Sequence, residues 1–190
     1  NKPTMGGLYQ HFTAIADSVS IPGILYNVPS RTALNMDAST TLRLADVPNI
    51  VGVKEASSDP DQIAYVIKDS PAGFKVWSGN DNEILSTMAL GGYGIVSVAG
   101  NIISSQIKKM MRLMLEGDLE AAAAEHFRLL PIFNALFYIT NPIPIRYAMN
   151  RSGFKVGSAR LPMVPDQREL HAFGAKFDPI MDRYIIDLAE

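Results

Sequence analysis

Ile50-Val51-Gly52-Val53-Lys54-Glu55-Ala56, followed at once by Ser57-Ser58-Asp59-Pro60-Asp61-Gln62-Ile63, decides how the chain is read. The first stretch is a short apolar run that begins after Pro48-Asn49. Such a run, apolar without strict alternation, is how a parallel strand buried on both faces reads. The second stretch opens a helix. Asp59 is a good N-cap, and Pro60 takes the first helical position, where its missing N–H goes unused. Ile63, Val66 and Ile67 then continue the inward face. Strand followed by capped helix is one βα unit.

The same unit recurs on both sides. Upstream, a helix is expected over Gly7–Ser18 with Leu8, Phe12, Ile15 and Ala16 on one face. Pro22 breaks it, and Gly23–Val28 reads as a strand closed by Pro29. A helix capped by Asp37 follows, with Leu42, Leu44 and Ala45 turned inward. Downstream, Phe74–Ser78 and Gly94–Val98 read as two more strands, with a helix between them that ends at Gly91-Gly92. Repeated strand–helix order argues for a parallel α/β sheet. The strands start roughly 20 to 27 residues apart. An eight-stranded α/β barrel of about 250 residues allows about 30 per unit, so the spacing is compatible.

After Val98 the pattern is helical. Helices are expected over Ile103–Glu116, Asp118 to about Ile139, and Pro142–Arg151, the last with Asn141-Pro142 as cap and first position and Gly153 as C-cap. A final helix or helix pair falls between Asp166 and Leu188. The Met-rich stretch Met110–Met114 reads as helix packing. No low-complexity segment or linker divides the chain.

Composition bounds the chemistry. The chain has 190 residues, 47% of them hydrophobic, enough for one sizeable core. Its net charge of −2, with no long run of one sign, gives no sign of a nucleic-acid or basic membrane surface. There is no cysteine, which removes disulfides, thiolate catalysis and cysteine-ligated zinc, and fits a cytoplasmic setting. No apolar run reaches the roughly 20 residues that span a bilayer, and no signal peptide is visible. His11, His126 and His171 show no metal-ligand spacing and read as structural. Neither a G-x-S-x-G elbow nor a P-loop occurs.

Lys54 is the most informative residue. It falls at the carboxyl end of a buried strand, which is the active face of parallel α/β folds. Burial lowers a lysine's pKa, and a neutral amine is what attack on a ketone requires. Position alone leaves a second reading open, a lysine that caps the strand and pairs with a carboxylate such as Glu55. Tyr26 closes the preceding strand and should open onto the same face, where a phenol can relay protons. Arg31, in the loop that follows, can hold a carboxylate in its bidentate fork. A buried aromatic and a solvated arginine are the plainer readings of these two. The turn Ser78-Gly79-Asn80-Asp81 could offer backbone amides to an anion. Gly91-Gly92-Tyr93-Gly94 is no dinucleotide fingerprint, because it precedes a strand. A doubly wound nucleotide-binding sheet is therefore poorly supported.

Taken together, Lys2-Pro3-Thr4, Tyr26-Asn27-Val28-Pro29-Ser30-Arg31-Thr32, Gly52-Val53-Lys54-Glu55-Ala56, Ser78-Gly79-Asn80-Asp81, Leu90–Val98, Asn141-Pro142-Ile143-Pro144 and Leu161-Pro162 fall in the order found in dihydrodipicolinate synthases. The chain resembles that family over nearly its whole length, less closely after Pro165. The resemblance implies the C-terminal four βα units of a TIM (β/α)8 barrel followed by a C-terminal helical region. Residues 1–100 would be the C-terminal half of the barrel, and 101–190 the last barrel helix with the helical region. It implies a lyase that condenses pyruvate with aspartate semialdehyde on the route to lysine and diaminopimelate.

In that resemblance Lys54 matches the Schiff-base lysine and Tyr26 the proton-shuttling tyrosine. Arg31 matches the arginine for the semialdehyde carboxylate, and Val96 an aliphatic residue of the pyruvate site. Gly79 and Asn80 match a loop at the pocket mouth, where the family often has Asp in place of Asn80. No metal or organic cofactor is implied, because a lysine iminium is itself the electron sink. A homotetramer is implied. Related Schiff-base lyases, such as N-acetylneuraminate lyase or a sugar-acid aldolase, share the lysine and tyrosine but generally lack the arginine. The opening at Asn1, without Met, reads as the middle of a longer chain, and a complete family member carries four further βα units. Alone, a half-barrel is expected to be unstable or to self-associate. A non-catalytic fragment is the remaining alternative.

Overall fold

The computed structural model describes residues 2–184 and 186. Asn1 and the expected end of the last helix at Leu188 lie outside the described residues. The chain forms two compact units, Asn1–Val96 and Ser97–Glu190.

In the first unit the order is α1 (Met5–Ser18), β1 (Gly23–Asn27), α2 (Pro29–Thr32), α3 (Ala38–Ala45), β2 (Ile50–Glu55), α4 (Pro60–Asp69), β3 (Lys75–Ser78), a 3₁₀ turn (Asp81–Glu83), α5 (Ile84–Ala89) and β4 (Gly94–Ile95). The strands pair in parallel in sequence order, β1-β2-β3-β4. Each crossover carries a helix, as parallel neighbours require. The register sets Tyr26 opposite Lys54, Lys54 opposite Trp77, and Trp77 opposite Gly94. The expected parallel α/β order is thus the observed one.

Local sequence explains the helix starts. The side chains of Thr4, Asp37 and Asp59 accept hydrogen bonds from the backbone N–H groups of Gly7, Thr40 and Gln62. Each cap satisfies a donor that the first helical turn leaves free, worth about 1 kcal/mol. The core lies between the sheet and its helices. Leu25, Val53 and Val76 from the strands meet Ala16, Leu44 and Val66 from α1, α3 and α4, with Met36, Val47 and Ile50 beside them. Leu44 is wholly buried, which stabilises by about 1.5–3 kcal/mol.

The strands do not bury both faces evenly. Along β1, Leu25 and Asn27 are buried while Ile24 and Tyr26 are exposed. Val51 and Val96 are likewise exposed. The helices cover one face, and among the described residues the other face presents apolar side chains to solvent. Several expectations move in detail. Ile15 is 47% exposed, and Tyr9 joins Leu8 and Phe12 against the core instead. In α3 the buried set is Thr40, Thr41 and Leu44, with Leu42 and Ala45 at its margin. That stripe continues to Val47 at helical spacing, which leaves Leu42 on the flank.

The second unit is helical: α6 (Gly100–Leu115), α7 (Leu119–Ala135), α8 (Ile143–Arg151) and α9 (Gln167–Met181). α6 packs against α7 and α8, and α7 against α9. Ile102, Ile103, Ile107 and Met110 meet a core that includes Leu129, Ile132, Phe133, Phe173 and Phe177. α6 starts before the expected Ile103 because that residue marks a kink, with φ −137° and ψ 39°, inside a longer helix. α9 begins with a full capping box between Asp166 and Glu169. At α8 the expected Asn141 cap is not made. Pro142 holds the N-cap position without a side-chain cap hydrogen bond. Among the described residues no helix is long and apolar enough to cross a membrane.

Candidate active site

The carboxyl ends of β1, β2 and β3 bring the expected residues together. Parallel strands in register place Tyr26 beside Lys54, and both side chains turn to the face that the helices leave open. The Lys54 amine lies 4.3 Å from the centre of the Tyr26 ring. That is cation–π distance.

Lys54 is partly buried, and desolvation holds its amine below the usual lysine pKa. The carboxylate of Asp81 pulls it back up, and the guanidinium of Arg31 pushes it further down. The amine therefore sits where the neutral form is more available than on a solvated lysine. The alternative strand-capping pair with Glu55 is not formed. Glu55, next on the strand, points to the opposite face and accepts hydrogen bonds from Asn27, Ser57 and Gln62. Burial holds its carboxyl above the usual carboxylate range, and these hydrogen bonds offset only part of that rise.

Arg31 does not sit in an irregular loop. It belongs to α2, a single helical turn that Pro29 opens and Ala33 closes in the left-handed region at φ 55°. Its side chain is exposed, yet close enough to bear on Lys54 electrostatically.

The turn after β3 is packed more tightly than its sequence announces. The Gly79 N–H donates to the Glu55 carbonyl at 2.6 Å. A Cβ at Gly79 would lie 2.6 Å from the Ala56 Cβ, so only glycine fits the approach. The Asn80 N–H donates to the Ser78 hydroxyl, and its amide donates to Ser58 and Glu83. Both backbone amides thus have partners within the protein, and the turn does not offer them to an anion. Asp81, which sequence reasoning left without a role of its own, is 2% exposed and is the carboxylate that acts on Lys54. Its signal was the Ser-Gly-Asn-Asp turn at a strand end. Val96 follows β4, its N–H donating to the Ser78 carbonyl at 3.0 Å. Its side chain is exposed.

Other hollows carry less chemistry. A space of about 910 Å³ in the second unit is lined by Tyr138, Ile143, Pro162, Phe173 and neighbours, with Glu169 and Lys176 its ionisable groups. A smaller one of about 340 Å³ in the first unit lies beside Tyr26, Asn27 and Thr32.

Comparison with known proteins agrees with this fold. The model of the dihydrodipicolinate synthetase family matches residues 1–174. The chain is 52% identical over 163 residues to the 4-hydroxy-tetrahydrodipicolinate synthase of Dehalococcoides mccartyi, covering 86% of this chain and 55% of that protein. Dihydrodipicolinate synthase from Aquifex aeolicus superimposes with a TM-score of 0.92 at 37% identity, over 100% of this chain and 64% of that one. The chloride-inhibited synthase of Acinetobacter baumannii, solved with pyruvate, superimposes with a TM-score of 0.86 at 34% identity, over 95% of this chain and 62% of that one. The chain therefore spans little more than half the length of the curated relatives it matches.

Proposed function

Because the chain belongs to the dihydrodipicolinate synthetase family, we propose that it supplies the Schiff-base centre of a lyase that condenses pyruvate with aspartate semialdehyde. The sheet and helices are four βα units of an α/β barrel followed by a helical region. One observation carries the proposal: the partly desolvated Lys54 amine, 4.3 Å from the Tyr26 ring centre, on the active face of a parallel sheet.

The chemistry follows from those groups. Neutral Lys54 Nζ attacks the ketone carbon of pyruvate, giving a carbinolamine. The Tyr26 hydroxyl moves protons between nitrogen and oxygen, and water leaves to form an iminium. The iminium draws electrons from the adjacent methyl, which loses a proton and becomes an enamine carbon nucleophile. That carbon adds to the aldehyde of the second substrate, whose oxygen takes up a proton, and displacement of the re-formed iminium by the substrate's own amine or by water frees Lys54. Arg31 holds that substrate's carboxylate through its fork, and Val96 packs on the pyruvate methyl. Gly79 and Asn80 shape the mouth, and Asp81 counters the iminium charge. No organic cofactor or metal enters these steps. The pyruvate-bound relative supports the first substrate. We place the active assembly as a cytoplasmic homotetramer.

The test is a substrate panel on a joined protein, in which this chain replaces the matching 163 residues of the Dehalococcoides mccartyi synthase. Turnover of pyruvate with aspartate semialdehyde, and none with N-acetylneuraminate, is the expected result. Preference for N-acetylneuraminate, or no turnover by a folded protein, would reject the proposal.

A further inference from the structure

We propose that Glu55, Asn27 and Gln62 form a buried clasp that positions the Arg31 turn, and so set recognition of the second substrate's carboxylate without touching it. The inference rests on the reading of Arg31 given above.

Glu55 is 0% exposed. Its Oε1 accepts hydrogen bonds from Asn27 Nδ2 at 2.9 Å and the Ser57 N–H at 2.8 Å. Its Oε2 accepts from Asn27 Nδ2 at 3.2 Å and Gln62 Nε2 at 3.2 Å. Every one of these partners is a donor, and both carboxylate oxygens accept. A buried carboxylate is costly, and a hydrophobic side chain could fill the same space. What the carboxylate adds is direction: it draws three donors from three separate segments to one point.

Asn27 carries that fixation into the Arg31 segment. Its Oδ1 accepts from the Met36 N–H at 3.0 Å, while its Nδ2 donates to the Met36 carbonyl at 3.3 Å and to Asn35 Oδ1 at 2.8 Å. The side-chain amide thus pairs with the main chain of Met36 as a neighbouring strand would. Gln62 closes the far side. Its Nε2 donates to the Met36 carbonyl at 3.2 Å, and its Oε1 accepts from Asn35 Nδ2 at 2.7 Å.

The segment 28–36 therefore leaves from Asn27 and returns to it. Within it, α2 carries Arg31, and the Thr32 hydroxyl lies within donating reach of the Leu34 carbonyl at 2.9 Å and the Val28 carbonyl at 3.2 Å. A loop so short, pinned at both ends, leaves its main chain little freedom. The main chain that carries Arg31 is thus held in place before a carboxylate binds. Preorganising a binding group in this way lowers the entropy lost on association.

The distinguishing measurement is the separation of two Michaelis constants in the joined protein. Glu55→Gln keeps the size but puts an NH₂ group among donors. It is expected to raise KM for aspartate semialdehyde by roughly tenfold, the scale of a carboxylate–arginine contact loosened. KM for pyruvate should stay within about twofold, and the borohydride-reduced pyruvyl adduct on Lys54 should form as before. Combined with Arg31→Ala, the Glu55→Gln change should add little. Asn35→Ala, at the exposed edge of the clasp, should give the same one-sided rise at smaller size and serves if Glu55→Gln does not fold. A parallel rise in both constants, or no change from a folded Asn35→Ala protein, would overturn the clasp. An unmutated protein that forms no Lys54 adduct, or an Arg31→Ala protein with unchanged constants, would instead remove the underlying reading and the clasp with it.

Discussion

Gly52→Ala is the sharpest test of how β2 is seated. Gly52 lies two residues before Lys54 and opposite Lys75 on β3. A Cβ there would stand 2.3 Å from the Lys75 carbonyl oxygen and 2.5 Å from Cζ3 of Trp77. Trp77 could swing aside, but the carbonyl is part of the β2–β3 ladder and cannot move without opening it. Overpacking costs about 1–3 kcal/mol, and a backbone obstacle puts the cost near the upper end. At about 2–4 °C per kcal/mol for a chain of this size, 3 kcal/mol lowers Tm by about 6–12 °C. Thermal melts followed by far-UV circular dichroism, at one fixed protein concentration, measure it. Gly6→Ala is the control. Its Cβ meets nothing within 4 Å, on an exposed helical turn, so a gain of about 0.5 kcal/mol is expected. A Gly52→Ala melt within 2 °C of the unmutated chain would refute the close approach, by the same scale of about 2–4 °C per kcal/mol.

Two further outcomes follow from the site and the core. Tyr26→Phe keeps the ring over Lys54 and removes only the hydroxyl. Condensation in the joined protein should slow by about 10²-fold or more, with the Lys54 adduct still trappable; full activity would end the proton-relay role. His126 is buried against Phe133, and desolvation lowers its pKa from the usual 6.5. The unfolded chain then binds a proton that the folded chain refuses. Stability contributed by neutral His126 is present above pH 6.5 and falls as pH drops from there toward its lower folded pKa. His126→Leu should flatten the stability profile between pH 6.5 and the folded value, as read by urea denaturation across pH; an unchanged slope would assign it elsewhere.

Much of the fold was legible because its punctuation is local. Asp37 and Asp59 cap the helices they were expected to cap. Gly153, at φ 95°, lies one place beyond the Ser152 that caps α8, where it had been expected as the cap itself. Lys54 and Tyr26 were legible as neighbours because each lies near the carboxyl end of an apolar strand, and parallel pairing then does the rest. What stayed hidden depends on register and distance. Asn27 and Glu55 are 28 residues apart and meet only because β1 and β2 align. Asp81 showed in sequence only as the last residue of the Ser78-Gly79-Asn80-Asp81 turn, yet its charge bears on Lys54. The turn at Gly79 and Asn80 looked open to an anion, but its amides are taken by Glu55 and Ser78. Ile15 fitted an apolar stripe that Tyr9 fills instead. A four-residue helix such as α2 has too little period to show in sequence.

Borohydride reduction in the presence of pyruvate, followed by peptide mass mapping of the joined protein, tests the Schiff-base reading most directly. A reduced pyruvyl group on the peptide carrying Lys54, lost in Lys54→Arg, is the expected result. An adduct on another lysine, or none in a folded protein, would contradict the assignment of Lys54 as the nucleophile.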